Sequence, residues 1–249
     1  MPPEPLRILV VGATSAIASE TARRYAAYGS RLFLAGRHAE RLEAVAADLR
    51  ARGAAAVETA VLDVTDHGRC QEIVEAAWSA FGGLDVALLA HGTLPDQARC
   101  QESAEQAVAA LDVNFVSAVA LLTPLANRFE AARHGCIAVI TSVAGDRGRQ
   151  SNYVYGAAKG GLDRYLEGLR NRLFRSGVAV VTLKPGFVDT PMTAELHQGP
   201  LFVSARRAGA AVHRAIERRR NVAYIPWFWR PIMAIIRAIP ETAFKRLRL

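Results

Sequence analysis

Short apolar runs alternate with amphipathic segments along most of the 249-residue chain, and this alternation constrains the fold more than any other feature. Arg7–Val11 (RILVV) is a nearly continuous apolar run that ends at Gly12, as strands buried on both faces of a parallel sheet do. The alternation predicts one α/β domain over residues 1–205, a parallel sheet with helices on both faces. The predicted strands are Arg7–Val11, Arg31–Ala35, Val57–Leu62, Val86–Ala90, Cys136–Thr141 and Val178–Lys184. The predicted helices are Ala18–Tyr28, Ala39–Arg52, Arg69–Phe81, Glu102–Glu130 and Gly156–Ser176.

The amino-acid composition limits the cellular locations expected for such a domain. Half of the residues are apolar (51%), yet no stretch reaches the roughly 18–20 uninterrupted apolar residues of a membrane-spanning helix. The start, MPPEPLRILVVGA, lacks the basic end and cleavage site of a signal peptide. The three cysteines, Cys70, Cys100 and Cys136, show no C-x-x-C spacing, so we expect neither disulfides nor a metal site. A cytoplasmic location is therefore predicted.

Positive charge is concentrated at one end of the chain. The net charge is +8, but the segment from Arg206 to Leu249 holds eleven basic and two acidic residues, which gives +9 and leaves −1 for residues 1–205. We therefore treat 206–249 as a basic C-terminal extension. Because its cations alternate with Trp, Phe and Ile and no recognition motif is present, a nucleic acid is not an expected partner.

The extension contains an amphipathic helical tail. Its apolar face carries Trp229, Ile232, Met233, Ile236 and Ile239. Arg230 and Arg237 fall on the opposite face. At about 14 Å the helix is too short to cross a hydrocarbon core of about 30 Å. With the neighbouring aromatics and the basic cluster from Lys245 to Arg248, residues 222–249 suit an anionic membrane surface, the inner face of the cytoplasmic membrane. A substrate lid or a dimer contact that packs on the body is the alternative.

The turn after the first predicted strand reads Gly12-Ala13-Thr14-Ser15-Ala16-Ile17-Ala18. In a Rossmann-type doubly wound sheet, a dinucleotide pyrophosphate docks here on backbone N–H groups and the positive end of the first helix. Only one of the three usual glycines is present, although the alanines still permit fairly close approach of the backbone. An ordinary tight turn is the alternative. The predicted contacts are Gly12, Thr14, Ser15, Ala16 and Ile17.

The end of the second predicted strand bears on the choice of cofactor. An acid at this place bonds a ribose 2′-OH, whereas an arginine can pair with a 2′-phosphate. The sequence places Arg37 here and no acid, so NADP(H) is the preferred cofactor over NAD(H), the alternative being a merely solvated arginine. Asp63, followed by Val64, is predicted to touch the adenine or else to cap the next helix.

Tyr155 and Lys159 stand four residues apart at the start of a predicted helix, so their side chains project from one face. Ser142 lies thirteen residues upstream, at the strand edge where doubly wound sheets bind ligands. A free tyrosine has a pKa of about 10, and we expect a nearby ammonium and a cationic nicotinamide to lower it. A serine hydroxyl and a tyrosine held together at this edge suit general acid–base chemistry.

These residues and several motifs resemble the short-chain dehydrogenase/reductase family over nearly all of residues 6–205. The motifs are GATSAIA at 12–18, LDV at 62–64, DVNF around Asn114, Thr141-Ser142, Tyr155-x3-Lys159 and Pro185-Gly-Phe-Val-Asp-Thr190. The resemblance implies an NAD(P)-dependent oxidoreductase, as a homodimer or homotetramer, with Ser142, Tyr155, Lys159 and Asn114 in its active site. The positions matched to its cofactor site also include Ala90, Gly92, Pro185, Gly186, Val188 and Thr190.

Two parts of the sequence limit the match to the family. The segment Leu89-Ala90-His91-Gly92 replaces the Asn-Asn-Ala-Gly common in the family, which removes an asparagine pair that ties the sheet together. We expect His91 to be a satisfied histidine of the cleft. The family role of Asn114 is to hold a water that relays protons to the lysine, and the alternative is a buried amide that ties a helix to the sheet.

Within the family, the chain is most similar to the branch that reduces decaprenylphosphoryl-2-keto-ribose. The similarity rests on the altered glycine turn, on Pro185-Gly-Phe-Val-Asp-Thr-Pro-Met192 and on an Ile-Pro pair followed by Phe244-Lys245-Arg246-Leu247. It implies reduction of a ketone on a polyprenyl-phosphoryl 2-keto-pentose or a similar amphiphile. A 3-oxoacyl or other lipid-ketone reductase is the alternative among enzymes, and a non-catalytic cofactor-binding scaffold is the alternative of another class.

Overall fold

The computed structural model describes residues 5–195 and 198–247. Its strands are β1 (Arg7–Val11), β2 (Arg31–Gly36), β3 (Ala56–Val61), β4 (Val86–Leu89), β5 (Cys136–Ile140), β6 (Ala179–Pro185), β7 (Val188–Asp189), β8 (Val203–Ser204) and β9 (Val222–Ile225). Seven of them form one parallel sheet in the order β3-β2-β1-β4-β5-β6-β9, and β7 pairs with β8 apart from it. The predicted doubly wound α/β fold is confirmed.

Helices cover both faces of this sheet. They are α1 (Ala16–Ala26), α2 (Ala39–Ala51), α3 (His67–Ala80), α4 (Gln97–Glu102), α5 (Ala104–Leu111), α6 (Ser117–Ala132), α7 (Tyr153–Leu173), α8 (Ala205–Glu217), α9 (Trp229–Ala238) and α10 (Glu241–Phe244). Successive residues of β1 enter opposite cores: Ile8 and Val10 pack with α1, α2 and α8, whereas Leu9 and Val11 pack with α3, α6 and α7. This is why the strand is apolar at every central position.

The predicted helix Glu102–Glu130 is divided in the structure. It breaks at Ser103, whose hydroxyl caps α5 by accepting a hydrogen bond from the Gln106 N–H at 3.3 Å. A π-helical turn, Asp112–Val116, then separates α5 from α6. The stretch Ala104–Ala132 is long and apolar enough to cross a membrane by length and composition, but the apolar face of α6 packs against the sheet.

The C-terminal extension contributes to the sheet itself. The sequence predicts no strand after Val178–Lys184, yet Val222–Ile225 pairs in parallel with β6 as a seventh strand. Helix α8 packs against α1, where Gly209 lies so close that a Cβ would stand 2.6 Å from the Cβ of Glu20. The run VAYI has only four residues, so a strand of this kind leaves a weak signal in the sequence.

The amphipathic segment forms α9, with its apolar face packed on the body of the fold. Trp229 and Met233 are buried and pack with Val143. At the other end of the helix, the Arg147 guanidinium donates hydrogen bonds to carbonyl oxygens of the last turn, including that of Ile236 at 2.7 Å, and lies over the Phe244 ring at 3.6 Å. The apolar face is therefore partly covered by the body, in the direction of the packing alternative: Trp229 and Met233 are buried, and Ile232, Ile236 and Ile239 are half-buried. Residue 248 of the predicted basic cluster lies outside the described residues.

Candidate active site

One cavity of about 500 Å³ opens at the carboxyl ends of the strands. Its wall is built from the segments that follow β1 to β6, the edge at which doubly wound sheets bind ligands. The predicted site residues in this wall are Gly12, Thr14, Ser15, Ala16, Ile17, Arg37, Asp63, Val64, Ala90, Gly92, Ser142, Tyr155, Lys159, Pro185, Gly186, Val188 and Thr190. Asn114 lies behind the wall rather than in it.

The glycine turn brings the start of α1 to the cavity. Gly12 has φ of 76°, and a Cβ there would stand 2.6 Å from the backbone nitrogen of His91, so only glycine fits this approach. Ser15 is the N-cap residue of α1, but its side chain makes no capping hydrogen bond. Its hydroxyl and the first N–H groups of the helix can therefore serve an anion in the cavity.

Two exposed arginines and one aspartate line another end of the cavity. Arg37 follows β2 directly, and Arg41 lies in the first turn of α2, one helical turn later. The Thr65 N–H and hydroxyl donate to Asp63 at 3.0 and 2.8 Å and lower the pKa of its carboxyl group, as does the charge of Arg37. The helix-capping alternative for Asp63 is wrong, because Asp66 caps α3. Sequence reasoning missed Arg41, although its spacing from Arg37 was a signal.

Ser142 and Tyr155 stand where β5 ends and α7 begins. The Ser142 hydroxyl accepts a hydrogen bond from the Ala144 N–H at 3.1 Å. Burial raises the pKa of Tyr155 to about 12, and the Ser142 hydroxyl offsets this only in part. The expected lowering of this pKa is therefore not produced by the chain alone, since the Lys159 ammonium lies 5.7 Å from the ring centre and desolvation of the phenolate dominates.

Lys159 is buried beside these hydroxyl groups. Its ammonium donates to the Ile140 carbonyl oxygen at 3.4 Å. Burial lowers the pKa of Lys159 to about 8, and the carboxylate of Asp163, one turn further along α7, acts in the opposite direction. The pKa of Lys159 therefore lies close to neutral pH, and most of the side chain remains protonated at pH 7.

Asn114 lies in the π-helical turn and ties it to the segment after β4. Its side-chain oxygen accepts from the Thr93 N–H at 3.1 Å, and its amide nitrogen donates to the Ala110 carbonyl oxygen at 3.0 Å. A Cβ at Gly92 would lie 2.7 Å from the Asn114 oxygen and 3.3 Å from the Lys159 ammonium, so the three residues are neighbours. The structural tie is observed, and the water-holding role stays a prediction.

His91 replaces a family alanine at the edge of the cavity. Its Nε2 lies 3.0 Å from the Ser117 hydroxyl, which itself donates to the Val113 carbonyl oxygen at 2.7 Å. Burial, assisted by the charge of Lys159, lowers the pKa of His91 to about 3. The ring is therefore neutral, with Nε2 partnered and Nδ1 without a partner in the described part of the chain.

A buried ionic cluster connects the site to the C-terminal extension, and sequence reasoning missed it. The Lys184 ammonium lies 2.5 Å from an Asp146 oxygen and 2.7 Å from an Asp163 oxygen, and these three side chains are at most 9% exposed. The Tyr224 hydroxyl donates to the other Asp146 oxygen at 2.7 Å. The cluster thereby joins the turn after Ser142, helix α7, the end of β6 and strand β9.

The loop after β6 packs directly on α9. A Cβ at Gly186 would stand 1.9 Å from the Trp229 indole nitrogen, so the indole lies against glycine backbone. The Phe187 ring stacks with Phe202 at 5.1 Å and meets Trp229 edge-on at 5.3 Å. Phe187 and Met192 also line the cavity, which gives its wall beside Thr190 an apolar character.

Comparisons with known proteins agree with this geometry. The short chain dehydrogenase family model matches residues 7–200. The uncharacterized oxidoreductase Rv2073c of Mycobacterium tuberculosis is 40% identical over 240 residues, which cover 96% of each chain. An uncharacterized oxidoreductase in the mprA 5′ region of Streptomyces coelicolor is 34% identical over 98% of this chain and 96% of the relative. Among solved structures, an actinorhodin polyketide ketoreductase with NADPH shares the fold, with a TM-score of 0.79 and 24% identity over 88% of this chain and 94% of that one.

The family match includes every segment that builds the cavity, from the glycine turn through the Tyr155–Lys159 pair to the loop around Thr190. The two relatives align with this chain over nearly their whole lengths. It follows that the chain belongs to the short-chain dehydrogenase/reductase family and is an oxidoreductase that works with a nicotinamide cofactor.

Proposed function

We propose that the protein reduces a ketone to a secondary alcohol on a lipid-linked sugar, a polyprenyl-phosphoryl 2-keto-pentose or a similar amphiphile. The observation that supports the proposal is that one cavity combines polar groups with an apolar wall. The Ser142 and Tyr155 hydroxyls supply polar groups for a carbonyl oxygen, and Phe187 and Met192 supply an apolar wall. The sequence similarity to a branch that acts on such substrates points to the same chemistry.

Each side chain has its own role in carbonyl reduction. A bound nicotinamide cofactor supplies the hydride that the carbonyl carbon receives. Tyr155 is protonated at neutral pH, since its pKa is about 12, and gives its proton to the carbonyl oxygen. Ser142 donates a hydrogen bond to the same oxygen and stabilises the charge that grows there. Lys159 holds an ammonium 5.7 Å from the centre of the Tyr155 ring, and Asn114, its neighbour behind Gly92, suits the relay that restores the tyrosine proton.

The residues present fit a dinucleotide with a 2′-phosphate, so we propose NADP(H) as the preferred cofactor. The uncapped Ser15 and the start of α1 suit a pyrophosphate, and two guanidinium groups, those of Arg37 and Arg41, line the cavity end beside β2. No carboxylate stands at position 37, where one would bond an unmodified ribose.

Arg37→Asp should reverse this preference. Removing a charge-assisted contact and adding a like charge should lower the ratio of kcat/KM for NADPH over NADH by about 100-fold. Steady-state kinetics with both cofactors measure the ratio. Arg31→Asp, at the other end of the same strand and exposed, is the matched control and should leave it unchanged. An unaltered ratio in Arg37→Asp would reject the 2′-phosphate assignment.

The substrate class is tested by comparing ketones at fixed NADPH. A farnesyl-phosphoryl 2-keto-pentose should show the highest kcat/KM, ahead of a 3-oxoacyl thioester and a short neutral ketone. Preference for the thioester would replace our proposal with a fatty-acyl reductase. Cofactor binding without turnover of any ketone would support the non-catalytic scaffold instead.

We further propose that the protein docks on anionic membrane through the outer face of α9, at the inner side of the cytoplasmic membrane. Trp229 and Met233 of this helix are buried, but Ile235 is 68% exposed, and Trp227, two residues before the helix, is 76% exposed. Arg230 and Arg237 are exposed on the same helix. Exposed aromatic and aliphatic groups beside cations are the composition of an interfacial surface.

A triple variant tests this docking. Trp227→Ser with Arg230→Glu and Arg237→Glu should weaken co-sedimentation with phosphatidylglycerol vesicles at least about tenfold, since each surface cation contributes about 1 kcal/mol. Deletion of 222–249 is unsuitable because it would also remove β9 and the buried Trp229. Arg31→Glu with Arg175→Glu matches the charge change elsewhere on the surface. Equal loss in this control, or no vesicle binding by the unaltered protein, would contradict the proposal.

A further inference from the structure

Arg149 is a cation in the cavity wall to which the family motifs and the proposed mechanism give no role. It lies between the turn that follows Ser142 and the first residue of α7, and it lines the same cavity as Ser142 and Tyr155. Its carbonyl oxygen accepts a hydrogen bond from the Asn152 N–H at 3.1 Å, which holds this segment in a turn. The guanidinium is therefore presented to the cavity by a structured loop next to the reacting groups.

This guanidinium forms no ion pair with any carboxylate among the residues that the structure describes. Its Nε is buried and has no hydrogen-bond partner within residues 5–195 and 198–247. Burial lowers the pKa of Arg149, and no carboxylate offsets that effect. An arginine stays protonated even so, and a partly desolvated cation without a partner is costly in free energy. An anion that enters the cavity would remove this cost and find a planar fork of N–H donors.

The strand order points to a ligand group other than the phosphates of the nucleotide. Arg149 follows β5, whereas Arg37 follows β2 and the glycine turn follows β1. In the sheet order, β5 is three strands from β2 and two from β1. At about 4.8 Å per strand, these separations are about 14 and 10 Å. The cation of Arg149 therefore serves the catalytic end of the cavity, near Ser142 and Tyr155, where a ketone must lie.

We propose that Arg149 binds an oxyanion carried by the ketone substrate. This rests on the proposed reductase function, and the phosphodiester of a lipid-linked keto-sugar is the case that joins the two. Asn152 supports the assignment. Its side-chain oxygen is also buried in the cavity wall, has no partner in the described part of the chain, and can accept a hydrogen bond from a substrate hydroxyl. The pair makes this loop a recognition element for a phosphorylated sugar.

The test compares two ketones that differ only in the anion, a farnesyl-phosphoryl 2-keto-pentose and the farnesyl 2-keto-pentoside that lacks phosphate. Arg149→Met should lower kcat/KM for the phosphorylated ketone about 100-fold, mainly through KM, because the contact exists before and during reaction. For the uncharged ketone, kcat/KM of the same variant should stay within about threefold of that of the unaltered protein. Arg149→Lys, which keeps the charge, should recover part of the loss.

The outcomes separate this inference from the proposed function. If Arg149→Met affects both ketones equally, or neither, the oxyanion role is wrong even though the protein is a reductase. If the unaltered protein turns over neither ketone, the proposed function fails first. Arg175→Met removes an exposed arginine outside the cavity and should change neither rate. NADPH binding by Arg149→Met, followed by fluorescence, verifies that the variant is folded.

Discussion

Tyr155→Phe is expected to lower ketone turnover by about 10³-fold while leaving cofactor binding intact. The substitution keeps the half-buried ring and removes only the hydroxyl, so the packing around α7 is preserved. General acid catalysis contributes about 10²- to 10⁴-fold, and the Tyr155 hydroxyl lines the cavity together with Ser142. Single-turnover kinetics with NADPH separate the loss in chemistry from any change in binding.

The chain supplies a matched control two residues away. Tyr153 is the first residue of α7, is 44% exposed and lies outside the cavity wall. Tyr153→Phe should leave kcat unchanged, although the two tyrosines share a helix and a local sequence. Residual turnover within about tenfold of normal in Tyr155→Phe would show that another group donates the proton.

Lys184→Met should have the largest effect on stability. The variant leaves the carboxylates of Asp146 and Asp163 buried without their cation, and breaking a buried pair in this way costs about 3–5 kcal/mol. For a chain of this size that corresponds to a fall in Tm of about 10 °C. Lys245→Met, which removes an exposed lysine, should change the free energy of unfolding by less than about 0.5 kcal/mol.

The stability loss in Lys184→Met should depend on pH, and its sign follows from the carboxyl group of Asp163. Burial already raises the pKa of Asp163 above its ordinary value, and loss of the lysine raises it further. The deficit of Lys184→Met is therefore complete where Asp163 is ionised and shrinks as pH falls through the raised pKa of Asp163. Urea unfolding from pH 5 to pH 8 measures it. A deficit independent of pH, or one not relieved by Asp163→Asn, would exclude an unpaired carboxylate as its cause.

Much of the fold could be predicted because its signals are local. Buried parallel strands are apolar on both faces, so the segments that became β1, β2, β4, β5 and β6 stand out without knowledge of their neighbours. The catalytic residues were found through spacing, since Tyr155 and Lys159 share a helix. Strand β9 has four residues and depends on its pairing with β6, a contact between distant segments that no local pattern records.

The missed ionic cluster and the missed Arg149 have different causes. Lys184 precedes the Pro-Gly loop by one residue and meets Asp146 and Asp163 only after β6, α7 and the turn behind Ser142 come together. Composition did carry a signal: only three of the 31 basic residues are lysines, and two of those, Lys159 and Lys184, are buried. A compact ammonium fits such places where a guanidinium does not. Arg149 is one of many arginines. Its buried Nε has no hydrogen-bond partner among the described residues, which the sequence does not record.

Because Tyr224 donates a hydrogen bond to Asp146, the site is complete only after the C-terminal part of the chain has been synthesised. Every group placed next to a carbonyl in our mechanism has been translated by the time the ribosome reaches Thr190. The turn behind Ser142 nevertheless acquires Tyr224 and the cover of Trp229 more than thirty residues later. A nascent chain arrested at residue 220 should thus bind nucleotide poorly and turn over nothing, although it contains the complete set of reacting side chains.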